Sequence, residues 1–376
     1  MFSIHPHDLQ VRRKRCTQFV SALQKLVHSS PSACNICGNH DSVLLAGADR
    51  YGLRVRTVMC RNCGLIYLAD RLGADAYSNF YADGSYRELT AMFSGQAAHL
   101  RTLQEDQLSY ATRVINALEE YHDIPSHRLL LDVGGSAGLV ALAVSSRLGC
   151  AGTVLDPSVE EVAAAESNGL EGVVGSLETY QTDKTFDIIL LCRSIEHLFD
   201  LRSSLLNIRK LLSPNGVFYC DIVDFPETCR TGGGPEAISK IDHCYWLAQE
   251  TAPIIFASVG FEIVSMDVGS QSETVGFLLR PCLPSSRIKT PDIVINALIR
   301  RLREISADWR LYGATPRGLG DRLRRTSYRV KRRIHHLADA LLGWSEGAHA
   351  VPVPERRPLD PAGNLTIPQR YGEPGS

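Results

Sequence analysis

Short apolar runs alternate with amphipathic stretches over residues 127–282. Apolar runs of strand length lie at 129–133, 152–155, 172–174, 186–191 and 216–222. Stretches with the apolar spacing of a helix lie between them, at about 138–148, 158–167 and 200–212. Two further strand-like runs, 261–266 and 275–279, come after a helical stretch at about 247–258. The alternation predicts an α/β fold, with five parallel strands, a closing pair, and helices on both faces of a Rossmann-like sheet.

The rest of the chain divides into segments with other patterns. We expect, in chain order, an N-terminal helix, a cysteine-anchored module, an aromatic and then helical connector, the sheet domain, a basic helical extension and a disordered Pro- and Gly-rich tail. Their predicted bounds are 1–30, 31–75, 76–126, 127–282, 283–345 and 346–376. The basic extension carries two apolar stripes of helical spacing, namely Ile295, Leu298, Ile299, Leu302 and Ile305, then Val330, Ile334, Leu337 and Leu341.

Composition and charge narrow the class of protein. The chain has 376 residues, of which 44% are hydrophobic and 22% are charged, and its formal net charge is −1. This excludes wholesale disorder, a collagen-like repeat and a disulfide-dense miniprotein. The total conceals an asymmetry, because residues 283–345 contain 14 Lys and Arg against 5 Asp and Glu, a charge of +9. These helices are expected to pack on the domain or on a second subunit, or to contact an anionic membrane surface, a glycan carrier or RNA.

Two patterns bear on the location of the protein. The chain lacks an apolar run of the roughly 18 residues that a membrane-spanning helix needs. The basic run at 12–15 is not followed by the apolar segment of a secretory signal. Unpaired cysteines inside predicted strands, Cys192 and Cys220, favour a reducing compartment. We therefore expect a cytoplasmic protein without a transmembrane segment.

The first predicted strand ends in a glycine-rich turn before a helix. Gly134, Gly135 and Gly138 allow a tight turn and the close approach of a ligand, although a tight strand–helix connection alone would also explain them. The second strand ends at Asp156, where a carboxylate can accept the hydroxyls of a ribose. Asp132, directly before the turn, is unfavourable beside a pyrophosphate and suits an ammonium group. The set therefore points away from a dinucleotide and towards S-adenosylmethionine.

These motifs resemble those of the class I S-adenosylmethionine-dependent methyltransferases. Residues 132–138, with the sequence DVGGSAG, match the first motif of that family, and 155–158, with the sequence LDPS, match the second. The segment 186–197 resembles the fourth strand together with the stretch directly after it, and 211–216 resembles the turn into the fifth strand. The resemblance covers about 129–266 and implies a methyltransferase that uses this cofactor.

The resemblance also implies which residues hold the cofactor. They are Asp132, Gly134, Gly135, Ser136, Gly138, Asp156, Ser176, Leu177 and Arg193. Ser136 replaces the middle glycine of the first motif and is small enough to fit. Ser176 stands where the family has an acid in contact with adenine, so a backbone group or Glu178 would make that contact here.

Four cysteines in two CxxC pairs form the second motif. They are Cys34, Cys37, Cys60 and Cys63, with 22 residues between the pairs. Four thiolates provide the tetrahedral shell that structural zinc prefers, and they leave no open position for catalysis. A redox pair would need only one CxxC. The apolar run at 53–59 leads into the second pair and predicts a zinc-ribbon hairpin.

A zinc module ahead of this domain is similar to a family of sugar C-methyltransferases and their uncharacterised relatives. The matching segments are 63–67, CGLIY, and the tyrosine-rich 80–87. The family has an acid–His pair in the loop after the fifth strand, which corresponds to Asp242 and His243. The resemblance implies that His243 is the general base and that His197 positions the substrate or acts as an alternate base. Either histidine, taken alone, is equally well explained as an ordinary polar loop residue.

The sequence therefore predicts a zinc-containing methyltransferase that acts on a sugar, nucleotide-sugar or glycan intermediate, by C- or O-methylation. One alternative is an RNA methyltransferase that grips its substrate with the zinc module and the basic helices, although nucleic acid is not favoured. The other is a non-catalytic scaffold on a methyltransferase fold. The basic extension at 283–345 is also a candidate for homo-oligomer contacts.

Overall fold

The N-terminal part of the chain consists of short helices and strands. The computed structural model describes residues 6–28, 33–95, 100–121, 128–268, 273–286 and 288–314. The first elements are α1 Pro6–Arg15, α2 Thr17–Gln24, β1 Val27–His28, β2 Ser42–Ala46, β3 Thr57–Cys60, β4 Ile66–Leu68 and β5 Arg71–Leu72. The connector then contributes α3 Ala74–Ala82, α4 Ser85–Ser94 and α5 Leu100–Glu119.

The next part of the chain carries the alternating elements that the sequence predicts. They are β6 Leu129–Val133, α6 Leu139–Leu148, β7 Ala151–Asp156, α7 Val159–Ser167, β8 Glu171–Val174, β9 Phe186–Leu191, a 3₁₀ turn at Ile195–His197, α8 Leu201–Leu211, β10 Leu212–Val223, α9 Phe225–Gly232, α10 Pro235–Ile238, β11 Tyr245–Trp246, α11 Ala252–Ser258, β12 Phe261–Val268, β13 Thr274–Pro281 and α12 Asp292–Ala314. Three of the described helices begin at side-chain caps, because Ser158, Asp200 and Asp224 accept hydrogen bonds from backbone N–H groups in the first turns of α7, α8 and α9.

Seven strands form the large sheet, in the order β12-β13-β10-β9-β6-β7-β8. The five strands β10, β9, β6, β7 and β8 are parallel, and β13 is antiparallel to both of its neighbours. This confirms the predicted α/β class. The strand order reverses at β6, which lies between β7 and β9, and such a switch point is where ligands bind in open α/β sheets.

One predicted helix is shorter than its pattern indicates. The stretch at 247–258 becomes helical only from Ala252, at the start of α11. The residues before it form hydrogen bonds with another segment instead of helical ones. The carbonyl of Leu247 accepts from Phe225 N, and Gln249 N donates to the Asp224 carboxylate at 2.7 Å. Pro253 in the first turn of α11 lacks an N–H group and is compatible only with a helix start.

A second sheet of four strands has the order β11-β4-β3-β2. The antiparallel pair β2–β3 is the hairpin expected of the cysteine module, although its second strand starts at Thr57 rather than at residue 53. The fourth strand, β11, comes from the loop after β10, where Tyr245 pairs with Tyr67 and Trp246 with Ile66. The cysteine module therefore incorporates a strand from the larger domain.

Two hydrophobic clusters cover the faces of the large sheet. One packs α5 and α6 on the sheet and includes Val114, Leu130 and Val144. The other continues without a break from the sheet into the cysteine module and the connector, and it includes Tyr51 and Trp246. Packing thus crosses the boundaries at 75 and 126 that the sequence indicates, and those boundaries remain sequence predictions.

The helix α12 packs its predicted apolar stripe into the fold. Each member of the stripe is at most 7% exposed, namely Ile295, Leu298, Ile299, Leu302 and Ile305. Arg301 forms ion pairs with Glu227 and Glu250, and the indole of Trp309 donates to the carbonyl of Cys229 at 3.0 Å. Residues up to Trp309 belong to one compact unit, and the described part of the second unit is the last turn of α12.

The second predicted basic helix, with Val330, Ile334, Leu337 and Leu341, and the tail at 346–376 lie outside the described residues. Within the described part of the chain, none of the helices combines the length and the apolar character needed to span a bilayer.

The burial of α12 makes a testable difference to stability. Leu302 is 1% exposed, so Leu302→Ala should lower the free energy of unfolding by about 2–5 kcal/mol, because it opens a cavity under the helix. Ile293 on the same helix is 78% exposed, and Ile293→Ala should change that free energy by less than about 0.5 kcal/mol. Urea unfolding followed by circular dichroism measures both, and equal effects of the two substitutions would contradict this packing.

Candidate active site

A cavity of about 480 Å³ lies at the carboxyl ends of β6, β7 and β9, where the connector faces them. One side carries the glycine turn and the ends of the first two parallel strands. The other side carries residues of α3, the 3₁₀ turn and the segment after it. Six of the nine predicted cofactor-site residues line it: Gly134, Ser136, Asp156, Ser176, Leu177 and Arg193.

Steric and backbone constraints explain the glycines of the turn. Gly134 has a φ of +68°, and a Cβ there would lie 2.7 Å from Ser194 Oγ. Gly138 has a φ of +74°, and a Cβ there would overlap the side chain of Leu170. Ser136, in place of the middle glycine of the motif, also adopts a positive φ of 52°. The turn therefore presents backbone rather than side chains to the cavity at Gly134.

Asp156 ends β7 and faces the cavity. Its two carboxylate oxygens accept one hydrogen bond each, from Ser136 N at 3.0 Å and from Ser158 N at 2.9 Å. Burial raises the pKa of this carboxyl above its ordinary value, although these two N–H groups oppose that change. Each carboxylate oxygen can accept a further hydrogen bond, so the residue can still receive the two hydroxyls of a ribose.

Asp132 lies beneath the turn and does not line the cavity. It is 1% exposed, and its two carboxylate oxygens have no hydrogen-bond partner among the described residues. Burial, with a smaller contribution from the charge of Asp156, raises the pKa of Asp132 to about 7. A Cβ on Gly135 would lie 2.7 Å from this carboxyl group, so the turn covers it directly. Unpartnered buried carboxylate oxygens fit a cationic group such as an ammonium.

The other cofactor-side residues have defined partners. Glu178 lines the cavity and accepts from Phe199 N at 3.0 Å, so it ties the end of β8 to the segment before α8. Arg193 has a φ of +52°, donates its backbone N–H to Asp221 at 2.6 Å, and stacks its guanidinium on Tyr110 at 4.6 Å from the ring centroid. Ser176 and Leu177 come after β8 in the same wall.

His197 lines the opposite wall, together with Tyr77 and Tyr81. Its Nδ1 lies 2.9 Å from the carbonyl of Asp242 and 2.6 Å from the Tyr81 hydroxyl. A carbonyl can only accept, so we assign the proton of neutral His197 to Nδ1, which leaves Nε2 unprotonated. Burial lowers the pKa of His197, and the Asp242 carboxylate opposes this in part. The residue is therefore a neutral imidazole with one basic nitrogen.

His243 and the Asp242 side chain lie behind His197 and do not line the cavity. The rings of the two histidines pack edge to face, with their centroids 4.5 Å apart. His243 is 6% exposed, and its Nε2 lies 3.8 Å from Asp242 Oδ2. Burial and the charge of Lys240 lower the pKa of His243 well below its ordinary value. Burial is the largest influence on Asp242 and would raise its pKa, but the charges of Lys240, His197 and Arg50, together with a backbone hydrogen bond, lower it overall.

The connector closes the cavity from above the glycine turn. Tyr86 packs on Tyr81 with ring centroids 4.7 Å apart, and its hydroxyl accepts from Arg87 at 2.9 Å. Arg87 also pairs with Glu161 of α7, whose carboxylate accepts from the Ser136 hydroxyl. The tyrosine-rich segment thus contacts both the cofactor-side turn and the histidine wall.

The four cysteines form a cluster away from this cavity. One ligand atom from each lies within 4.8 Å of the others, and the closest sulfur pair is Cys34–Cys63 at 3.4 Å. Hydrogen bonds among the thiols lower the pKa of Cys37 and Cys60 and raise that of Cys34 and Cys63. Four sulfurs in this arrangement fit a tetrahedral zinc ion.

The first cysteine pair is attached to the cavity wall. Asn35 donates to the Asp200 carboxylate at 3.0 Å and accepts from Arg202 N at 2.8 Å. Asp200 caps α8 directly after Phe199, which lines the cavity. The cysteine cluster therefore holds the start of α8 in place.

Two residues that contact this region were not predicted from the sequence. Asp49 and Tyr51 lie in the interval between the cysteine pairs, and Tyr51 donates to Asp242 Oδ1 at 3.3 Å. The available signal was the run Asp49-Arg50-Tyr51-Gly52, which has the Asp and Gly positions of a type I turn. That pattern predicts the turn but not its contact with a loop about 190 residues later.

Comparisons with known proteins find similarity in the central segment of the chain. Residues 131–220 match the family model described as a methyltransferase domain. The ubiquinone biosynthesis O-methyltransferase of Rickettsia prowazekii (strain Madrid E) is 29% identical over 129 residues, which is 33% of this chain and 50% of that protein. The enzyme of the same name from Rickettsia conorii is 26% identical over 151 residues, 38% of this chain and 52% of that protein. The chain thus spans about half the length of these curated relatives.

A solved structure with a similar fold is magnesium protoporphyrin IX methyltransferase from Synechocystis PCC 6803, which is 13% identical with a TM-score of 0.41 and covers 54% of this chain and 96% of that one. The sequence match means that the chain contains a methyltransferase domain within its α/β fold, and it covers the glycine turn, Asp156 and His197.

Removal of one cysteine should empty the cluster. Cys60→Ser should lower bound zinc from one ion per chain to well below one, because a serine oxygen is a weak replacement for a thiolate. Elemental analysis of the purified protein measures the content. Cys282→Ser, which changes a partly exposed cysteine outside the cluster, should keep the full amount. A full zinc content in Cys60→Ser would contradict the four-sulfur site.

Proposed function

We propose that the protein is an S-adenosylmethionine-dependent methyltransferase with a structural zinc ion, and that its acceptor is a sugar or a sugar-bearing intermediate. The observation that carries the proposal is a single cavity with the glycine turn and Asp156 on one side and His197 and Tyr81 on the other. The match of residues 131–220 to a methyltransferase domain supports the reaction class.

The cofactor side fits a nucleoside that carries an amino acid. Asp156 has free acceptor positions for a ribose, and Asp132 places a buried carboxyl group beneath the turn. Gly134 keeps the wall open where a side chain would collide with Ser194. S-adenosylmethionine supplies an electrophilic methyl group on a sulfonium centre. The contribution of the protein is to position that group and to screen it from water.

The histidine wall supplies the base. An acceptor hydroxyl or acidic C–H must lose its proton, and His197, which lines the cavity, has Nε2 as its unprotonated nitrogen. Tyr81 and the Asp242 carbonyl fix the ring through Nδ1. His243 and Asp242 lie directly behind and complete the proposed catalytic group, either as the base after a local movement or as the residues that orient His197.

Aromatic residues support a sugar as the acceptor. Tyr77, Tyr81 and Phe199 line the cavity, and aromatic rings can pack against the apolar face of a pyranose, while the imidazole of His197 can meet its polar edge. The curated relatives are O-methyltransferases by name, so O-methylation stands beside C-methylation. A nucleic-acid acceptor has weaker support, because α12 buries its apolar stripe and uses Arg301 in ion pairs.

The direct test is transfer of labelled methyl from the cofactor into a cell extract that lacks the enzyme, with the products separated into sugar, nucleic-acid, protein and lipid fractions. Label in the sugar or nucleotide-sugar fraction is expected. Label confined to RNA would replace the proposed acceptor, and no label in any fraction, despite cofactor binding, would favour a scaffold.

Asp156 should control cofactor affinity. Asp156→Ala should weaken the binding of S-adenosylhomocysteine by about 1–3 kcal/mol, because two ribose hydroxyls lose their acceptor. Isothermal calorimetry measures the change. Glu160→Ala, on the exposed side of the first turn of α7, serves as the control and should leave the affinity unchanged. An unaltered affinity in Asp156→Ala would remove the cofactor assignment.

His197 should set the lower limit of the pH range. The pKa of His197 in the folded protein lies below the ordinary value of 6.5, so the base is still largely deprotonated at pH 6.5 and transfer is retained there. As pH rises from acid values, the transfer rate should increase in a single titration step, and the midpoint of that step should lie below pH 6.5. His197→Gln should abolish this titration step and most of the transfer, and it should keep the affinity for S-adenosylhomocysteine. A titration step that persists in His197→Gln and disappears in His243→Gln would assign the base to His243.

A further inference from the structure

The segment that leads to Asp242 and His243 is held by the loop between the two cysteine pairs. Asp49 accepts from the backbone N–H groups of residues 51, 52 and 53 through one oxygen and from Ile241 N at 3.0 Å through the other. Arg50 adds two hydrogen bonds, from its backbone N–H to the carbonyl of Ser239 and from its Nε to the carbonyl of Ala237. The stretch 237–241 is thus fixed by a loop distant in sequence.

Tyr51 is the residue of this loop that reaches a side chain of the proposed catalytic group. Its ring is 2% exposed and packs edge-on against Phe93 at 5.1 Å. Its hydroxyl donates to Asp242 Oδ1 at 3.3 Å, while the Thr90 side chain donates to the phenol oxygen. The single phenolic proton is therefore directed at the carboxylate.

The second oxygen of Asp242 faces two cationic or proton-donating groups. Oδ2 lies 3.6 Å from Lys240 Nζ and 3.8 Å from His243 Nε2. At 3.8 Å the contact is longer than a hydrogen bond, so the carboxylate acts on His243 through its charge, which favours the tautomer that points an N–H group at Oδ2, with the proton on Nε2. Nδ1 of His243 is buried and has no hydrogen-bond partner among the described residues.

We propose that Tyr51 is a positioning residue, which holds the Asp242 carboxylate so that Oδ2 faces His243 and fixes its tautomer. Tyr51 does not line the cavity, so its effect on catalysis rests on the proposed function, in which Asp242 and His243 belong to the catalytic group. Without the phenol donor, the carboxylate is free to turn towards Lys240, and the two neutral tautomers of His243 become closer in energy. The zinc module then contributes to the chemistry of the site through one hydroxyl group.

The test compares Tyr51→Phe with Tyr67→Phe in the full-length zinc-loaded protein. Tyr51→Phe removes only the hydroxyl and keeps the contact with Phe93. Tyr67→Phe is the matched control, because Tyr67 is a buried tyrosine of the same module whose phenol interacts with Ser42. Ring-¹⁵N-labelled histidine gives nitrogen shifts that distinguish the tautomers at a pH above 6.5, and His243→Gln assigns the signals.

The native protein and Tyr67→Phe should show His243 as a single tautomer protonated on Nε2, and Tyr51→Phe should show a mixture. Labelled-methyl transfer in Tyr51→Phe should fall about tenfold or more, with less than about a twofold change in affinity for S-adenosylhomocysteine. A purely structural Tyr51 would lower the melting temperature and leave the tautomer unchanged, and that result overturns the proposal.

A second variant approaches the same contact from the other side. Asp242→Asn keeps the shape of the side chain and removes its charge, so it should give the same mixture of His243 tautomers. If the tautomer of His243 is unchanged in this variant, the proposal is overturned. This result can be obtained even if Tyr51→Phe does not fold. The nitrogen shifts do not depend on methyl transfer. Failure of the proposed function, with no cofactor binding and no transfer, is therefore distinguishable from failure of this inference.

Discussion

The pairing of β4 with β11 is the interaction on which the proposed acceptor side depends. Two residue pairs join Tyr67 and Ile66 of the cysteine module to Tyr245 and Trp246, directly after the loop with Asp242 and His243. A two-residue strand has little stability by itself, so its position is determined by the sheet that it joins. The cysteine module therefore determines the position of the histidine wall. In the proposed function, this is how a four-sulfur site without a position for a substrate would influence methyl transfer in the cavity.

The two sides of the cavity have different electrostatic properties. The strand ends on the cofactor side carry buried acids, because burial raises the pKa of Asp132 to about 7 and raises that of Asp156 above its ordinary value. Such acids prefer the neutral form in the absence of a cation, and this stability is lost as pH rises towards 7. The histidine side instead contains imidazoles whose pKa is lowered by burial, so their contribution to stability is lost as pH falls below 6.5. A cationic cofactor on one side and a proton-accepting wall on the other are consistent with this division.

The sequence was most informative where one local pattern determined the result. The period of apolar residues predicts five of the strands within a few residues. Four of them are largely buried and read as short apolar runs, whereas the edge strand β8 has no buried position. The CxxC spacing likewise predicts the cysteine cluster, since two pairs on two tight turns can converge on one ion. The glycine turn and Asp156 could be predicted for a similar reason, as the ends of adjacent parallel strands meet at one edge.

Long-range contacts were beyond the reach of these patterns. The start of α11 at Ala252 depends on Leu247 and Gln249, whose backbone groups are bonded to residues around 224. The contact between Tyr51 and Asp242 depends on a hairpin loop that meets a distant segment. The placement of His197 on the cavity side, with His243 behind it, depends on how the 3₁₀ turn meets the loop before β11, where Cys244 N donates to the carbonyl of Glu196. Neither histidine differs enough in its local sequence to reveal that order.

The most direct test of this account is hydrogen exchange, measured by mass spectrometry, on the zinc-loaded protein and on the same protein after the metal has been removed with a chelator. If the cysteine module is the template for the histidine wall, loss of zinc should reduce protection in residues 237–246 as well as in 57–68, while 129–138 and 151–156 keep theirs. Loss of protection confined to the cysteine module, with 237–246 unchanged, would contradict the claim that the module shapes the acceptor side of the site.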